Sequence, residues 1–478
     1  MPSSKAACCS GTIPTVTNRP ANDVEILVVG AGIVGIATAY YLCIKYQKAS
    51  VLLVDSRQPM SFTSAQSGDN YRNWWPHPTM TAFTNHSIDL MERIASSTSN
   101  VMNMTRRGYL LATRSKDIGD LVAELHVGYK DSAADSIRIH DAASSTTYIP
   151  PDSDDWESAP TGVDVLSSQK LIRQTFPSLS KEVANVIHIR RGGDISGQQL
   201  GQYMLEKIRD VGGKRLAASV RSIDIDQGFL VEVEGSGGVE RVRADVLVNA
   251  AGPFAGSLAA AMGVELPVEN IYQQKIAFED KKKAIPRQQP FSIDLDEIEF
   301  DWTDEEHALL SEDAETAWLT EQLPGGAHCR PEGGDNSCWV KLGWAFNRDV
   351  SEPQQDLANE PRMHPQYPEI VMRAAARLNP SLKTYNEDFP TRFSHYGGYY
   401  PMTRENWPLI GPLGIDGAFI AGALSGFGSM SACAAGAVCA AWVVGSDLPE
   451  YATQLSLARY SDKQLMKELS NARSRGLL

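Results

Sequence analysis

The residues best suited to chemistry open the first ordered segment of the chain. Glu25-Ile-Leu-Val-Val-Gly30-Ala-Gly32-Ile33-Val34-Gly35 carries an apolar strand into three glycines at the G-x-G-x-x-G spacing, and a second apolar run, Val51-Leu-Leu-Val, ends on Asp55. This pattern suits a pyrophosphate. Gly30 permits a tight turn, Gly32 lets the backbone approach the phosphates, and Gly35 lets helix and strand pack closely. The helix N-terminus attracts the negative charge. Asp55 follows Gly35 by 20 residues, where a carboxylate can accept hydrogen bonds from ribose hydroxyls. A glycine-rich turn in an ordinary α/β domain is the plainer alternative. Both strands and the acid stand in register, which favours a dinucleotide site.

The rest of the chain must position that site. A β-α-β unit occupies residues 25–55, and residues 61–75 read as a polar and aromatic loop. Apolar spacing at Met80, Phe83, Ile88, Met91 and Ile94 predicts a helix over 79–96. Residues 113–163 are loop-rich. A helix is expected over 198–211, then strands over 217–225 and 229–233. An apolar strand over 243–252 ends in small residues, Asn-Ala-Ala251-Gly252, where backbone can lie against a ligand. Residues 265–350 read as strand-rich and contain the acidic segment 294–315, a solvated insertion, a lid or a docking surface. The last third repeats the opening pattern: strand 417–422, the glycines of Ser425-Gly426-Phe427-Gly428-Ser429, then an Ala-rich helix near 432–444.

Composition sets bounds. The 478 residues are 42% hydrophobic and 21% charged with a net charge of −14, ordinary for a globular chain of two or three domains. The acidic balance argues against nucleic acid or an anionic membrane surface as a partner. Seven cysteines, an odd number without metal-ligand spacing, suit a reducing compartment. Cys8-Cys9 reads as two thiols on a flexible tail. Residues 1–22 lack an apolar leader, and Gly476-Leu-Leu is no peroxisomal signal, so a cytoplasmic protein is expected. The uncharged stretches 26–44 and 417–446 read as buried segments rather than membrane spans. No metal site and no Ser-His-Asp arrangement is apparent.

Four segments together resemble the FAD-dependent amine and amino-acid oxidoreductases of the D-amino-acid oxidase superfamily, nearest to the sarcosine oxidase branch. They are residues 26–35, 51–72 with Ser67-Gly68-Asp, 244–252 and 400–436. The resemblance implies an α/β fold: a Rossmann-like FAD-binding domain, discontinuous in sequence (23–112, 185–262, 395–478), and a substrate domain on an antiparallel or mixed β-sheet (113–184, 263–394), after a flexible tail (1–22). It implies one FAD, its pyrophosphate on Gly30, Gly32, Ile33, Val34 and Gly35 and its ribose on Asp55 and Ser56. Ser64, Ser67 and Gly68 line the next turn, Val220 meets the adenine, and Ala251 and Gly252 pass close to the cofactor. Ser425, Gly426, Phe427, Gly428 and Ser429 face the flavin's pyrimidine edge.

The resemblance also gives Lys341 a role. Val340-Lys341-Leu-Gly-Trp344 matches the strand that presents a lysine to the flavin, associated with oxygen activation. Strand alternation puts Val340, Leu342 and Trp344 on one face and Lys341, Gly343 and Ala345 on the other. Three departures stand out. The cysteine that tethers flavin in the sarcosine branch falls at Gly398, so noncovalent FAD is expected. The carboxylate-binding lysine falls at Met430. Arg72 matches a flavin-facing arginine, but its partner is replaced within Trp74-Trp75, with Arg392 and Arg404 as alternative carboxylate anchors. Trp74, Trp75, Trp344, Tyr400 and Met430 are then candidates for an apolar cage around a larger, apolar or aromatic amine. Tyr400 and His395 are candidates for orienting the amine.

The activity implied is that of an FAD-dependent amine or amino-acid oxidase. It takes a C–N bond of a secondary amine or amino acid to an imine by hydride transfer to flavin N5, with O2 as electron acceptor giving H2O2. The alternatives are a dehydrogenase passing electrons to a quinone or electron-transfer flavoprotein, a hydroxy-acid oxidoreductase, and a non-catalytic flavoprotein assembly factor.

Overall fold

The structure is a computed structural model and describes residues 23–141, 147–152, 156–334, 336–355, 360 and 362–472. The expected tail 1–22, with Cys8 and Cys9, and Gly476 lie outside the described residues.

The apolar runs of the sequence form the middle of a seven-stranded sheet. Asp23–Val29 lies parallel to Val51–Asp55 on one side and Gly238–Asn249 on the other. Lys214–Ile225 and Ala418–Gly422 extend this parallel core, and Leu409–Pro412 closes the edge antiparallel. Leu27, Val28, Leu53, Leu247 and Val248 are all buried, as expected for parallel strands covered on both faces. The outer halves of Lys214–Ile225 and Gly238–Asn249 join Phe229–Gly235 in an antiparallel meander.

Helix Ile33–Tyr40 follows the glycine turn and packs on Gly428–Val444. The second helix is built from Gly, Ala, Ser and Cys for a physical reason. A methyl group at Gly436 would come within 2.5 Å of the Ala37 backbone carbon. Small residues let two helix backbones approach, and the helix is buried from Ser429 to Ala441. Among the described residues no helix is long and apolar enough to cross a membrane.

The second sheet has nine strands, in the order Phe393–Met402, Glu269–Glu279, Trp339–Gly343, His328–Glu332, Phe291–Asp294, Tyr109–Thr113, Asn185–Ile189, Val163–Leu166, Ile137–His140. It is mixed, with parallel pairs at Phe291–Asp294/Tyr109–Thr113 and Ile137–His140/Val163–Leu166. Helix Tyr367–Leu378 covers one face over Ile276, Val340, Leu342 and Trp344. Tyr109–Thr113, Asn185–Ile189 and Phe393–Met402, expected near the edges of the first domain, all pair within this second sheet. Alternation of apolar residues marks a strand but does not name its partner.

The acidic segment is not wholly solvated. Asp294 is buried and, with Asp296, holds Arg114 Nη1 at 2.8 and 2.9 Å. Thr303 and Glu306 cap helix Asp304–Glu312 reciprocally, which satisfies two backbone N–H groups at its start.

Overpacking the helix contact tests the fold. Gly436→Val is expected to cost about 1–3 kcal/mol, read as a lowered thermal midpoint relative to wild type.

Candidate active site

Three cavities run end to end along the junction of the two sheets. The first, about 380 Å³, is lined by Gly30, Gly32, Asp55, Ser56, Ser64, Val220, Ala251 and Gly252. Gly32, Ser64, Ala250 and Gly252 also line the second, about 110 Å³, which adds Ile33, Val34, Gly398, Ser425 and Gly428. Ser67, Lys275, Tyr400, Gly426 and Ser429 are shared between the second and a third of about 30 Å³. Gly68, Asp69, Asn70, Tyr109, Phe291, His328, Arg330, Lys341, Leu342 and Met430 complete the third.

Local bonding shapes the cleft. Gly30 has φ of +110°, and a Cβ there would overlap the Ala250 carbonyl. A Cβ at Gly35 would overlap the Gly30 carbonyl, so Gly35 serves helix packing and does not line the cleft. Asp55 accepts from the N–H of Ala31 at 2.7 Å and of Arg57 at 2.9 Å, which holds its carboxylate across the glycine turn. Ser64 Oγ accepts from the Ile33 N–H at 3.0 Å. Ser429 Oγ donates to Ser67 Oγ at 2.9 Å, tying the first turn of Gly428–Val444 to the loop after Asp55.

This cleft fits an extended FAD. It is continuous from the glycine turn to Lys341, and polar atoms along it lack partners. Thr63 Oγ1, Asn70 Oδ1 and Tyr109 OH are buried without a hydrogen bond among the described residues, and their residues line the cavities. Buried polar groups ordinarily have partners. A polar cofactor in the cleft satisfies that requirement.

Lys341 projects into the third cavity while Val340 and Trp344 lie in the core, with Leu342 between the two. Its ammonium is 3.2 Å from Glu332. Burial lowers its pKa from the ordinary lysine value, the neighbouring Arg330 charge lowers it further, and Glu332 opposes both. Arg330 itself donates to the Gly68 carbonyl at 2.7 Å and lies 3.5 Å from Asp194.

Other expected site residues stand elsewhere. Trp344 faces the helix-covered core, its N–H on Tyr367 OH at 2.9 Å and its indole N–H on the Pro324 carbonyl at 3.1 Å. Trp74 packs in a cluster with Tyr129 and Ile189. Trp75 meets Phe427 edge-on, centroids 4.8 Å apart. Arg72 is buried between the rings of Trp75 and Tyr109, at 5.0 and 4.9 Å, one layer behind the cavity wall. Phe427 is likewise behind the wall. His395 is an odd number of residues from Tyr400 on Phe393–Met402, so it points to the other face, where it meets Gln274 at 2.9 Å and stacks on Tyr367. Of the five expected cage residues the structure brings Tyr400 and Met430 to the third cavity.

Lys275, His328, Arg330, Tyr109 and Phe291 line this cavity and were not singled out in the sequence. Their signal is register. His328 pairs with Gly343, Gly343 with Lys275, and Lys275 with Tyr396, one row across four strands. Arg330 and Lys341 pair in a neighbouring row. Gly343 leaves room for the His328 ring, which a Cβ would overlap. Burial pushes the His328 pKa down to about 4, and the Lys275 charge adds to this.

A family sequence description, "FAD dependent oxidoreductase" (DAO), matches residues 25–442. No curated protein matches the sequence significantly. Among solved structures, L-proline dehydrogenase from P. horikoshii is similar at TM-score 0.67 and 17% identity, over 92% of this chain and 98% of that one. Glycine oxidase from Geobacillus kaustophilus is similar at TM-score 0.65 and 15% identity, over 92% and 99%. NikD, "an unusual amino acid oxidase essential for nikkomycin biosynthesis", is similar at TM-score 0.63 and 16% identity, over 91% and 97%.

The His328 environment predicts a pH effect. Its folded pKa lies below the unfolded value of about 6.5, so the unfolded chain binds the extra proton. Stability from this residue is full above pH 6.5 and falls as pH drops toward 4, by up to about 1.4 kcal/mol per pH unit. His328→Gln should flatten the fall in thermal midpoint between pH 6.5 and 4 relative to wild type.

Proposed function

The chain belongs to the DAO family of FAD-dependent oxidoreductases, and on that premise we propose that it oxidises the C–N bond of an amine or amino acid and returns the electrons to oxygen. The observation that carries the reading is the continuous cleft, which ends among Lys341, Tyr400, Met430 and Lys275. Proteins of the same fold include a dehydrogenase of L-proline and an oxidase of glycine, which supports an amino-acid or amine substrate.

FAD, when bound, accepts the hydride taken from the carbon beside nitrogen. The chain's own part is placement and electrostatics. Gly30, Gly32 and the start of Ile33–Tyr40 offer backbone N–H groups and a positive helix end to the pyrophosphate. The start of Gly428–Val444 brings a second positive helix end to the cleft wall at Gly426 and Gly428, where it stabilises negative charge gained during turnover. Tyr109, Phe291, Tyr400 and Met430 give the third cavity an apolar wall, facing the cations Lys275, Arg330 and Lys341. That mixture suits a substrate with an apolar body and a polar amine end. Lys341 supplies positive charge where oxygen takes up electrons. Glu332, itself paired with Arg330, holds its ammonium in place.

FAD is held without a covalent bond in this reading. Among the described residues no cysteine lines the cleft, and glycine stands at position 398. Acid precipitation of the holoprotein should leave the flavin in the supernatant; a yellow pellet contradicts this.

The decisive test is anaerobic flavin bleaching against N-methyl amino acids, D- and L-amino acids, and apolar secondary amines. One group should bleach the flavin, and admitting air should restore colour with stoichiometric peroxide. Bleaching without peroxide, restored by a quinone, marks a dehydrogenase. Lys341→Met should slow reoxidation by air at least tenfold while changing anaerobic reduction less than threefold.

A further inference from the structure

The third cavity holds three cations, and two of them are already neutralised. Lys341 and Arg330 share Glu332, and Arg330 also faces Asp194. Lys275 differs. Its ammonium lies 3.4 Å from the Gln66 carbonyl and 5.5 Å from the Tyr400 ring centre, and among the described residues no carboxylate stands within ion-pairing distance of it. Lys275 lines both the second and the third cavities. A cation left with a carbonyl and an aromatic face in a half-buried site attracts an anion.

His328 stands in the same cross-sheet row, two strands away. Its Nδ1 is 3.0 Å from the Gly326 carbonyl, which can only accept, so Nδ1 carries the proton. Nε2 is therefore an acceptor. The residue is 8% exposed and lines the cavity, and among the described residues Nε2 meets no hydrogen-bond donor. Gly343 between them keeps the row open, because any side chain there would occupy the space of the imidazole. Along this row the cavity thus presents an unneutralised donor cation and an acceptor with an unused lone pair, with Asp69 and Asn70 on the wall as further acceptors. The ends of an α-amino acid, a carboxylate and an amine N–H, match them in kind.

Resting on the reading of the site as an amine or amino-acid oxidoreductase, we propose that Lys275 and His328 are its substrate-recognition pair. Lys275 Nζ takes the substrate carboxylate, and His328 Nε2 accepts from the amine. The pair answers the two departures in the sequence: the carboxylate-binding positions expected on helix Gly428–Val444 and in the aromatic loop hold Met430 and a tryptophan of Trp74-Trp75. The anion site has moved to the second sheet. Substrates are then primary or secondary amines that carry a carboxylate, with the apolar wall of Tyr109, Phe291 and Met430 beside the side chain.

The test uses the holoenzyme and reads the flavin absorbance spectrum, without turnover. Acetate and benzoate, with acetamide and benzamide as neutral controls, are titrated into wild type, Lys275→Met, Lys275→Arg and His328→Phe. Glycine and N-methylglycine are titrated anaerobically in parallel. The carboxylates should perturb the spectrum, and Lys275→Met should weaken them at least tenfold, with Lys275→Arg within threefold of wild type. The amides should be indifferent to Lys275. His328→Phe should weaken glycine and N-methylglycine at least tenfold and acetate less than twofold. Carboxylates that fail to perturb the wild-type flavin, or bind Lys275→Met as well as wild type, overturn the proposal. So does Lys275→Met that releases FAD, which would place the lysine against the cofactor. A wild type that binds carboxylates through Lys275 yet is bleached by no amine keeps the anion site and instead refutes the proposed reaction.

Discussion

Backbone contact at two glycines sets the geometry on which the rest depends. At Gly30 a side chain would overlap the Ala250 carbonyl, and at Gly35 it would overlap the carbonyl of Gly30. The first helix can therefore start directly over the end of Asp23–Val29, against the end of Gly238–Asn249. That approach leaves an open crevice at the carboxyl ends of the parallel strands, where a phosphate meets a helix N-terminus. Asp55 reinforces it by accepting the Ala31 N–H from the neighbouring strand. Nothing about the second sheet is needed for this half of the site.

The second sheet contributes by register rather than by motif. Four strands place Tyr396, Lys275, Gly343 and His328 side by side, and the next row holds Lys341 and Arg330. The opposite face is apolar and covered by Tyr367–Leu378. Period-two alternation separates these faces so strictly that a polar row can sit above a dry core. Buried charge is tolerable there because Glu332 and Asp194 neutralise most of it.

Much of this was legible in the sequence, and the reasons differ by region. The glycine turn, Asp55 and the small residues before Gly252 are local signals, and all line the cleft or shape it. The helices expected over 79–96 and 198–211 appear as Pro78–Ser97 and Gly197–Asp210, since apolar spacing and breakers act within a few residues. Trp344 and His395 were misjudged as cleft residues against their own strand parity: Trp344 is odd to Lys341, and His395 is odd to Tyr400. Trp74 and Trp75 gave no such clue, because a loop has no period. Lys275 and His328 lie in strands whose neighbours are remote in sequence, and only the paired sheet brings them together.

The Ala-rich helix joins two roles that are separate in many proteins. Gly428–Val444 is a strut of the core, seated on Ala37 through Gly436, and its first turn is a wall of the cleft. Ligand occupancy and folding are then thermodynamically linked, because whatever binds the folded cleft and not the unfolded chain adds RT ln(1 + [L]/Kd) to stability. The cofactor is in this sense a late-arriving piece of the fold. Free cofactor above its Kd then raises the folded fraction as well as the active one.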